Sequence, residues 1–419
     1  MQRPQNPPRG TKDLLPDETR RWREFEVLAE ERLSMAGFGE IRTPSFEATE
    51  IFVRAAGETS DIVNKEMYTF SDRSDRSLTL RPEGTAGVVR AYLSNGMDRW
   101  VKPVKLWYKG AMYRYERSQT GRYRQFHQLG AEVFGSASPE AEAELIALAL
   151  QILQEAGIND LVLELNSVGD SSTKEAFQEE MRAFLIEHKD RVCPDCQRRA
   201  ETNPMRALDC KVSADQAFYH KSAPRLSDHL SEVSRAHFEK LQKTLRELDI
   251  AYTLSDQLVR GIDYYTGTVF EIKMESSLLA GQNTICAGGR YDLLVAEFGG
   301  PETPAFGWAL GIERVMALLI DARPYNKNTI PTCKKAFVYG EFPETAKVAH
   351  RLRQNGLLTL LDYDGRTEKK AYEYAQKQKV NFYINLNPAQ GGISCKDLAF
   401  GTNQTFTSAQ ELIDHLCSL

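Results

Sequence analysis

Apolar residues recur at helical spacing in two stretches of the first half of the chain. One stretch runs from Trp22 to Leu33 with an apolar residue every three or four positions, and Gly37 follows as a stop signal. The other begins at Ser138, carries an apolar centre and ends near Gly157. Each pattern predicts an amphipathic helix, and the wide apolar face of the second predicts packing on a β-sheet.

Short runs of β-branched and aromatic residues predict strands at 161–165, 268–272 and 284–286. Several of these strands follow one another without a helix between them, which favours antiparallel pairing over a doubly wound parallel sheet. Residues 306–314 predict the opening of a further helix, with Leu310 on its apolar face. An α+β fold is therefore expected for this part of the chain.

The pattern changes between residues 170 and 248, where charged sequence of helical period, including 175–188 and 226–248, replaces the strand signals. We interpret this stretch as a helical insertion subdomain inside a domain that spans residues 1–325. A segment with prolines, lysine and asparagines follows, and residues 326–334 are the predicted linker.

Strand and helix signals alternate from 335 to 419, which predicts a separate small α/β domain. Its strands are expected at 336–339, 357–361 and 381–385, and its helices at 344–354, 368–378 and 409–416.

The composition is that of a soluble globular protein with more than one domain. The chain has 419 residues, of which 42% are hydrophobic and 26% are charged. Its formal net charge of −5 excludes a coat of basic charge but not a local positive surface for RNA. Seven scattered cysteines do not resemble a secreted disulfide framework, and no apolar run approaches the roughly 18 residues of a spanning helix. These features predict a cytoplasmic protein with no membrane partner.

The densest polar cluster lies between residues 80 and 135. Its charged and amide residues are Arg81, Glu83, Arg90, Arg114, Glu116, Arg117, Arg122, Arg124, His127, Gln128 and Glu132. Aromatic residues are interleaved with them, and so many aromatic side chains are costly to leave exposed. A solvated loop explains only the charges, whereas a ligand-lined cavity explains both.

A nucleotide is one ligand that such a cavity could hold. Arginine binds phosphate through two parallel hydrogen bonds, and an aromatic face can stack on a purine, so Arg114, Arg122 and Phe126 are candidates. The chain contains neither G-x-x-x-x-G-K-[ST] nor G-x-G-x-x-G. Any ATP site must therefore be built from arginines on strands and loops.

Two later segments place glycines, tyrosines and arginine beside predicted strands. They are residues 260–271, which begin with Arg-Gly-Ile-Asp-Tyr-Tyr and end at Glu271, and Ala-Gly-Gly-Arg-Tyr-Asp, which ends at Asp292. Each alone is compatible with an ordinary hairpin, and their co-occurrence favours a site. Arg314 follows within the predicted helix and either extends to water or meets an anion, since arginine is rarely buried unpaired.

Taken together, these motifs resemble the histidyl-tRNA synthetase family over nearly the whole chain. Residues 37–44, 108–135 and 307–314 look like motifs 1, 2 and 3 of class II aminoacyl-tRNA synthetases. The runs Leu-Arg-Pro-Glu-Gly-Thr-Ala from Leu80 and Arg-Gly-Ile-Asp-Tyr-Tyr from Arg260 look like histidine-specific signatures. The resemblance implies an antiparallel catalytic sheet flanked by helices, a homodimer built through motif 1 and a C-terminal anticodon-binding domain.

The resemblance also implies that histidine is activated with ATP and Mg²⁺ and then transferred to the 3′ end of tRNA(His). ATP would be bound by Arg114, Glu116, Arg122, Phe126 and Arg314, and the developing charge would be stabilised by Arg260 and Arg114. Histidine would be bound by Glu83, Gln128, Glu132, Arg260, Tyr264, Tyr265 and Tyr291. Arg117 and Gln119 match positions that approach the acceptor end of the tRNA.

Two rival functions use the same fold without catalysis. One is a histidine-sensing paralogue such as the regulatory subunit of ATP phosphoribosyltransferase, and relatives of that kind generally lack the anticodon domain and part of the ATP site. The other is an RNA-binding sensor that has lost the histidine pocket. The chain carries Glu83, Arg114, Arg260 and Arg314 together with a C-terminal domain, which favours the enzyme.

Cys193, Cys196 and Cys210 raise the question of a metal site. A closed structural zinc site needs four ligands, and the nearest histidines, His188 and His220, are poorly spaced to complete one. No metal is therefore expected at these cysteines.

Overall fold

The structure is a computed structural model that describes residues 6–58, 60–117, 119, 121–279, 283–319, 334–342, 344–386 and 392–418. The chain divides into two compact units, Met1–Tyr325 and Asn326–Leu419. Of the predicted linker 326–334, only Lys334 is among the described residues.

The first unit is built from helices and strands in mixed order. Its helices are α1 (Pro16–Met35), α2 (Thr49–Ala56), α3 (Thr85–Ser94), α4 (Pro139–Glu155), α5 (Ser171–Glu187), α6 (Pro194–Thr202), α7 (Ser213–Ser222), α8 (Glu232–Glu247), α9 (Leu294–Glu297) and α10 (Ile312–Leu318). Its strands are β1 (Gly39–Glu40), β2 (Phe46–Ala48), β3 (Tyr68–Ser71), β4 (Ser77–Leu80), β5 (Val104–Tyr113), β6 (Gln125–Phe134), β7 (Val162–Ser167), β8 (Thr253–Leu254), β9 (Thr268–Lys273), β10 (Thr284–Arg290) and β11 (Ala305–Gly311).

Eight of these strands form one large sheet in the order β1-β5-β6-β11-β10-β9-β7-β8. The six inner strands are antiparallel, and only the short edge strands β1 and β8 pair in parallel. A separate three-stranded sheet has the order β2-β4-β3, and its strands lie between β1 and β5 in the sequence. The predicted α+β fold with an antiparallel sheet is confirmed.

Alternation along the strands assigns the two faces of the large sheet. Trp107, Leu129 and Phe270 belong to a core shared with α1, α4, α8 and α10. Leu106 and Tyr108 belong to a second core, shared with α2 and α3. Because neighbouring side chains on a strand point to opposite faces, helices cover the sheet on both sides, as expected.

Residues 306–314 do not open a helix. Residues 305–311 are extended as β11, and the helix begins only at Ile312, so the prediction was wrong for Leu310, which lies on the strand. Nearly every residue of β11 is buried, and a strand covered on both faces shows no period-two pattern that would distinguish it from a buried helix.

The predicted helical insertion contains α5 to α8. Helices α5, α6 and α7 share a third core that also includes Val269 of β9, and Phe177, Met181 and Cys196 are fully buried in it. Helix α8 instead packs on α4, because its apolar residues Phe238 and Leu241 belong to the core of the large sheet. The insertion thus has one helix that packs into the core of the large sheet.

One expected helix of the insertion is interrupted. The sequence pattern 226–248 predicted a single helix, but a 3-10 turn at Leu226–His229 precedes α8. Ser231 lies between them, and its hydroxyl accepts a hydrogen bond from the Ser234 amide (3.2 Å). The chain therefore starts a new helix at a serine cap rather than continuing the first.

The second unit is an α/β domain with a mixed sheet. Its strands are β12 (Lys335–Tyr339), β13 (Leu358–Leu361), β14 (Phe382–Asn385), β15 (Ile393–Asp397) and β16 (Asn403–Phe406), and its helices are α11 (Glu344–Gln354), α12 (Glu368–Lys377) and α13 (Ala409–Ser418). The sheet order is β13-β12-β14-β15-β16, parallel as far as β14 and antiparallel beyond it. The sequence predicted the three parallel strands and the helices but not the β15–β16 hairpin.

No helix of the described residues is long and apolar enough to cross a membrane.

Candidate active site

The longest strands of the large sheet present polar residues on one face. On β6, Leu129, Ala131 and Val133 face the core, while Gln128 and Glu132 lie on the opposite face. On β9, Phe270 and Ile272 face the core, and the intervening Glu271 points the other way. The same alternation that fills the core therefore lines up polar groups on the other side of the sheet.

A cleft of about 1010 Å³ opens over this face. Its walls come from the segment between β5 and β6, from β9, β10 and α10, and from the insertion. Of the predicted site residues, it is lined by Arg114, Glu116, Gln119, Arg122, Phe126, Gln128, Arg260 and Arg314. The cleft is large enough for a small-molecule substrate pair.

Arginines converge at one end of the cleft. The Arg114 Nε donates to the Pro82 carbonyl (2.8 Å), and its guanidinium lies 5.3 Å from the centre of the Phe126 ring. Arg122 forms an ion pair with Glu116. Phe126 is thus held beneath a cation, with its ring on the wall of the cleft.

Arg314 completes this group from α10. Its Nε donates to the Gly121 carbonyl (3.1 Å), and its Nη1 donates to the Thr284 carbonyl. Burial lowers the pKa of Arg314 to about 10, and repulsion from Arg114 and Arg122 contributes to this. Three guanidinium groups crowded into one cleft favour a polyanionic ligand, because an anion would relieve their mutual repulsion.

A second charged group extends across β9. Arg260 forms an ion pair with Glu271, and Thr284 donates its hydroxyl hydrogen to the same carboxylate (2.9 Å). Lys273 lies 3.2 Å from Glu271 and 2.6 Å from Glu164. Glu271 therefore orients the Arg260 guanidinium, and Glu271 does not depend on Arg260 alone for a counter-charge.

Two polar atoms of this wall are buried without a hydrogen-bond partner in the described part of the chain. They are the Arg260 Nε and the Gln128 Oε1. Buried polar atoms are rarely left unpaired, and such groups beside a cleft are suited to a ligand that supplies the missing partner. A ligand that fits this wall would donate a hydrogen bond to the Gln128 Oε1 and accept one from the Arg260 Nε.

A hydrogen-bonded layer lies beneath the cleft. The Glu132 carboxylate accepts from the Thr85 hydroxyl (2.9 Å) and from the Tyr291 hydroxyl (2.6 Å). Glu83 accepts from the amides of Thr85 (2.6 Å) and Ala86 (2.8 Å) at the start of α3. Both carboxylates are buried, so this layer is fixed by its own hydrogen bonds.

Burial raises the pKa of Glu132 to about 8, and the neighbouring charge of Glu83 raises it further while the hydroxyls of Tyr291 and Thr85 oppose the shift. Burial also raises the pKa of Glu83. Both shifts favour the neutral acids over the carboxylates and so reduce the negative charge of the layer.

Three glycines leave room for the side chains of the hydrogen-bonded layer. A side chain at Gly84 or at Gly130 would overlap the Tyr108 ring, and one at Gly307, directly across the sheet from Glu132, would overlap that carboxylate. These glycines are required by close approach rather than by turn geometry.

The predicted site residues fall into three groups. Eight line the cleft. Glu83, Glu132, Tyr264 and Tyr291 are buried behind its wall, with the Tyr264 ring 5.6 Å from that of Tyr291. Tyr265 borders a smaller cavity that Arg260 also lines, and Arg117 is exposed outside the cleft.

His127 is satisfied by neighbours rather than free to act as a base. Its Nδ1 lies 2.8 Å from Glu313 Oε1, its amide donates to the same carboxylate, and its ring meets Trp22 edge-on.

Sequence reasoning missed part of the wall. Lys273 and Glu164 belong to the charged network around Glu271, and the polar alternation of β9 was the available signal for Lys273. The insertion contributes Leu208, Asp209, Lys211, Gln216 and His220, for which no local pattern exists.

The fold places a possible fourth ligand beside the three cysteines of the insertion. Cys193, Cys196 and Cys210 are joined by Asp215, and the four ligand atoms lie within 4.8 Å of one another. The sequence argument sought a histidine as fourth ligand, whereas the fold brings a carboxylate from α7.

An antiparallel sheet that carries arginines for a polyanion, with no phosphate loop, defines a class II aminoacyl-tRNA synthetase type of catalytic domain. The histidyl-tRNA synthetase family model matches residues 10–315. A histidine–tRNA ligase of Thermosynechococcus vestitus is 47% identical over 97% of this chain and 95% of its own length, and that of Synechococcus elongatus is 46% identical over 97% and 93%. The crystal structure of apo histidyl-tRNA synthetase from S. aureus superposes with a TM-score of 0.80 at 34% identity and covers 98% of this chain and 99% of its own. The chain belongs to the histidyl-tRNA synthetase family.

Proposed function

We propose that this protein activates histidine with ATP to form histidyl adenylate and then transfers the histidyl group to the 3′ end of tRNA(His). The histidine carboxylate attacks the α-phosphorus of ATP, and pyrophosphate leaves. The terminal hydroxyl of the tRNA then attacks the carbonyl of the adenylate, and AMP leaves. The observation that carries the proposal is the convergence of Arg114, Arg122 and Arg314 beside Arg260 and Gln128 in one cleft.

For ATP, we assign the phosphates to Arg114 and Arg314 and the adenine to Phe126, with Glu116 and Arg122 placing the nucleotide. The proximity of cation and ring at Arg114 and Phe126 supports this assignment. Arg114 and Arg260 stabilise the charge that develops on the α-phosphate. Fixed cations and positioning are sufficient for this step, since the carboxylate of histidine is already a nucleophile at neutral pH.

Mg²⁺ is part of the proposal, since it would neutralise charge on the leaving pyrophosphate. Mg²⁺ is usually bound by phosphate oxygens and one or two carboxylates, and Glu116 and Glu271 are carboxylates on the cleft wall.

For histidine, we assign Glu83, Gln128, Glu132, Arg260, Tyr264, Tyr265 and Tyr291. Arg260 and Gln128 are the members with unpaired buried atoms toward the ligand. The other members either lie in the layer behind them or, like Tyr265, border the adjoining cavity with Arg260. We assign recognition of the imidazole to Glu83 and Tyr265. A pocket that hydrogen-bonds both ring nitrogens of histidine rejects an amino acid of similar shape, because binding that amino acid would leave polar groups of the pocket unpaired.

For tRNA, we assign the acceptor end to Arg117 and Gln119. Both are exposed, and Gln119 also lines the cleft. Two backbone hydrogen bonds, of 3.0 and 2.9 Å, join Gln119 to Arg122. The second unit would bind the anticodon.

A cytoplasmic location fits a protein that acts on tRNA and has free, buried cysteines.

The test of the activity is isotope exchange between pyrophosphate and ATP. The purified chain is expected to catalyse exchange when histidine and Mg²⁺ are both present, and to charge tRNA(His) with labelled histidine. Omission of histidine or of Mg²⁺ should stop exchange. Absence of exchange by folded protein with all components present would contradict the proposal and favour a histidine-sensing paralogue.

A homodimer is also proposed. The small sheet β2-β4-β3 exposes Phe46 and Phe70, whose rings lie 6.2 Å apart, and exposed neighbouring aromatic residues mark interaction surfaces. Sedimentation equilibrium should give twice the chain mass of 47.4 kDa. A protein that stays at one chain mass at assay concentrations would refute the dimer without affecting the exchange assay.

A further inference from the structure

The insertion contains a cluster of four side chains that can act as metal ligands. Cys193 and Cys196 lie at the start of α6, Cys210 follows the turn Pro204–Asp209, and Asp215 lies in the first turn of α7. Their ligand atoms are all within 4.8 Å of one another. Cys196, Cys210 and Asp215 are buried, and Cys193 is half-buried.

The spacing between these atoms is that of a tetrahedral zinc site. With Zn–S bonds of about 2.3 Å, two sulfurs on a tetrahedron are about 3.8 Å apart, and a sulfur and an oxygen are about 3.5 Å apart. The Cys193 and Cys210 sulfurs are separated by 3.7 Å, and the Cys210 sulfur lies 3.4 Å from Asp215 Oδ2. Both distances agree with the edges of such a tetrahedron.

Backbone hydrogen bonds fix the ligands from outside. The Cys193 amide donates to Asp215 Oδ2 (2.9 Å), and the Val212 amide donates to the Cys210 sulfur (3.4 Å). Hydrogen bonds of this kind orient ligands and stabilise their negative charge in metal sites.

The alternative without a metal is a group of ordinary core cysteines around an aspartate. It leaves the Asp215 carboxylate 3% exposed, with the Cys193 amide and the three thiols as its partners. No salt bridge of the described residues gives this carboxylate a cation. A buried carboxylate without a counter-charge is costly. A divalent cation removes that cost.

We propose that Cys193, Cys196, Cys210 and Asp215 bind one Zn²⁺ as a structural site. Three thiolates and a carboxylate, with no ligand position left open, suit zinc better than the harder Mg²⁺ or Ca²⁺. The metal joins α6, α7 and the intervening turn. That segment supplies Asp209, Lys211 and Gln216 to the wall of the cleft, so the zinc positions the insertion side of the substrate site.

The test measures metal directly. Protein purified under reducing conditions without chelator and dialysed after zinc supplementation is expected to hold one zinc per chain by plasma mass spectrometry. Cys196→Ser and Asp215→Asn are expected to lower that content at least tenfold under the same dialysis. Cys395→Ser, which changes a buried thiol of β15 in the second unit, is the matched control and should keep the zinc.

Cobalt substitution of the wild-type chain decides the matter even if a variant fails to fold. Co²⁺ at this site should give the sulfur-to-metal charge-transfer absorption and the intense visible bands of tetrahedral thiolate coordination. A wild-type chain without stoichiometric zinc and without a thiolate spectrum overturns the proposal, as does full zinc content in a folded Cys196→Ser variant. The readout does not depend on enzymatic activity.

Discussion

Replacing Arg260 with alanine is expected to lower the rate of histidine-dependent pyrophosphate exchange by about a hundredfold or more, the loss typical for removal of one fixed charge-stabilising group in an active site. Arg260 lines the cleft, its Nε is buried without a hydrogen-bond partner among the described residues, and its guanidinium is oriented by Glu271. The fold should survive, because Glu271 keeps Lys273 as a partner at 3.2 Å.

The matched control for this variant is Arg20→Ala, which removes an exposed guanidinium from α1 and should leave exchange unchanged. Tryptophan fluorescence monitors folding, since all four tryptophans belong to the first unit. Wild-type exchange by Arg260→Ala would show that Arg260 has no part in activation.

Gly288→Ala is expected to destabilise the first unit by about 3 kcal/mol or more, at the upper end of overpacking effects. A methyl group at Gly288 would overlap the Gly307 carbonyl oxygen and lie 2.7 Å from both Phe270 Cε1 and Trp308 Cβ. The oxygen is backbone in the centre of the sheet, so no side-chain rotation can relieve the overlap. The measurement is urea unfolding followed by tryptophan fluorescence.

Gly39→Ala is the control for that experiment. Gly39 lies on the edge strand of the same sheet, and nothing is within 4 Å of an added methyl group. Its unfolding free energy should change by less than about 0.5 kcal/mol. Equal stabilities of the two variants would mean that the close approach at Gly288 is not a constraint on the sheet.

The sequence predicted the helices and strands that have a clear periodicity or a capping residue. Helix α1 was found from its apolar period, and α4 from its serine cap and proline start. The exposed hairpin β15–β16 was missed, because its strands are short and polar. Strand β11 was mistaken for helix, because burial on both faces removes the alternation that identifies a strand.

The candidate site divides in the same way. The residue types that suit a nucleotide and an imidazole could be read from the motifs around Arg114, Arg260 and Arg314. The raised pKa of Glu132 could not be predicted, because it results from burial beside Glu83. The sequence also gave no reason to place the insertion in the cleft wall.

The sequence by itself determined the order of helices and strands, the family and the chemical groups available for catalysis. Only the tertiary structure decided which groups meet: Arg260 with Glu271, Glu132 with Tyr291, and Asp215 with three cysteines. The physical reason is that propensity and periodicity act over a few residues, whereas pairing of charges, desolvation and ligand geometry depend on distances in space between segments far apart in the chain.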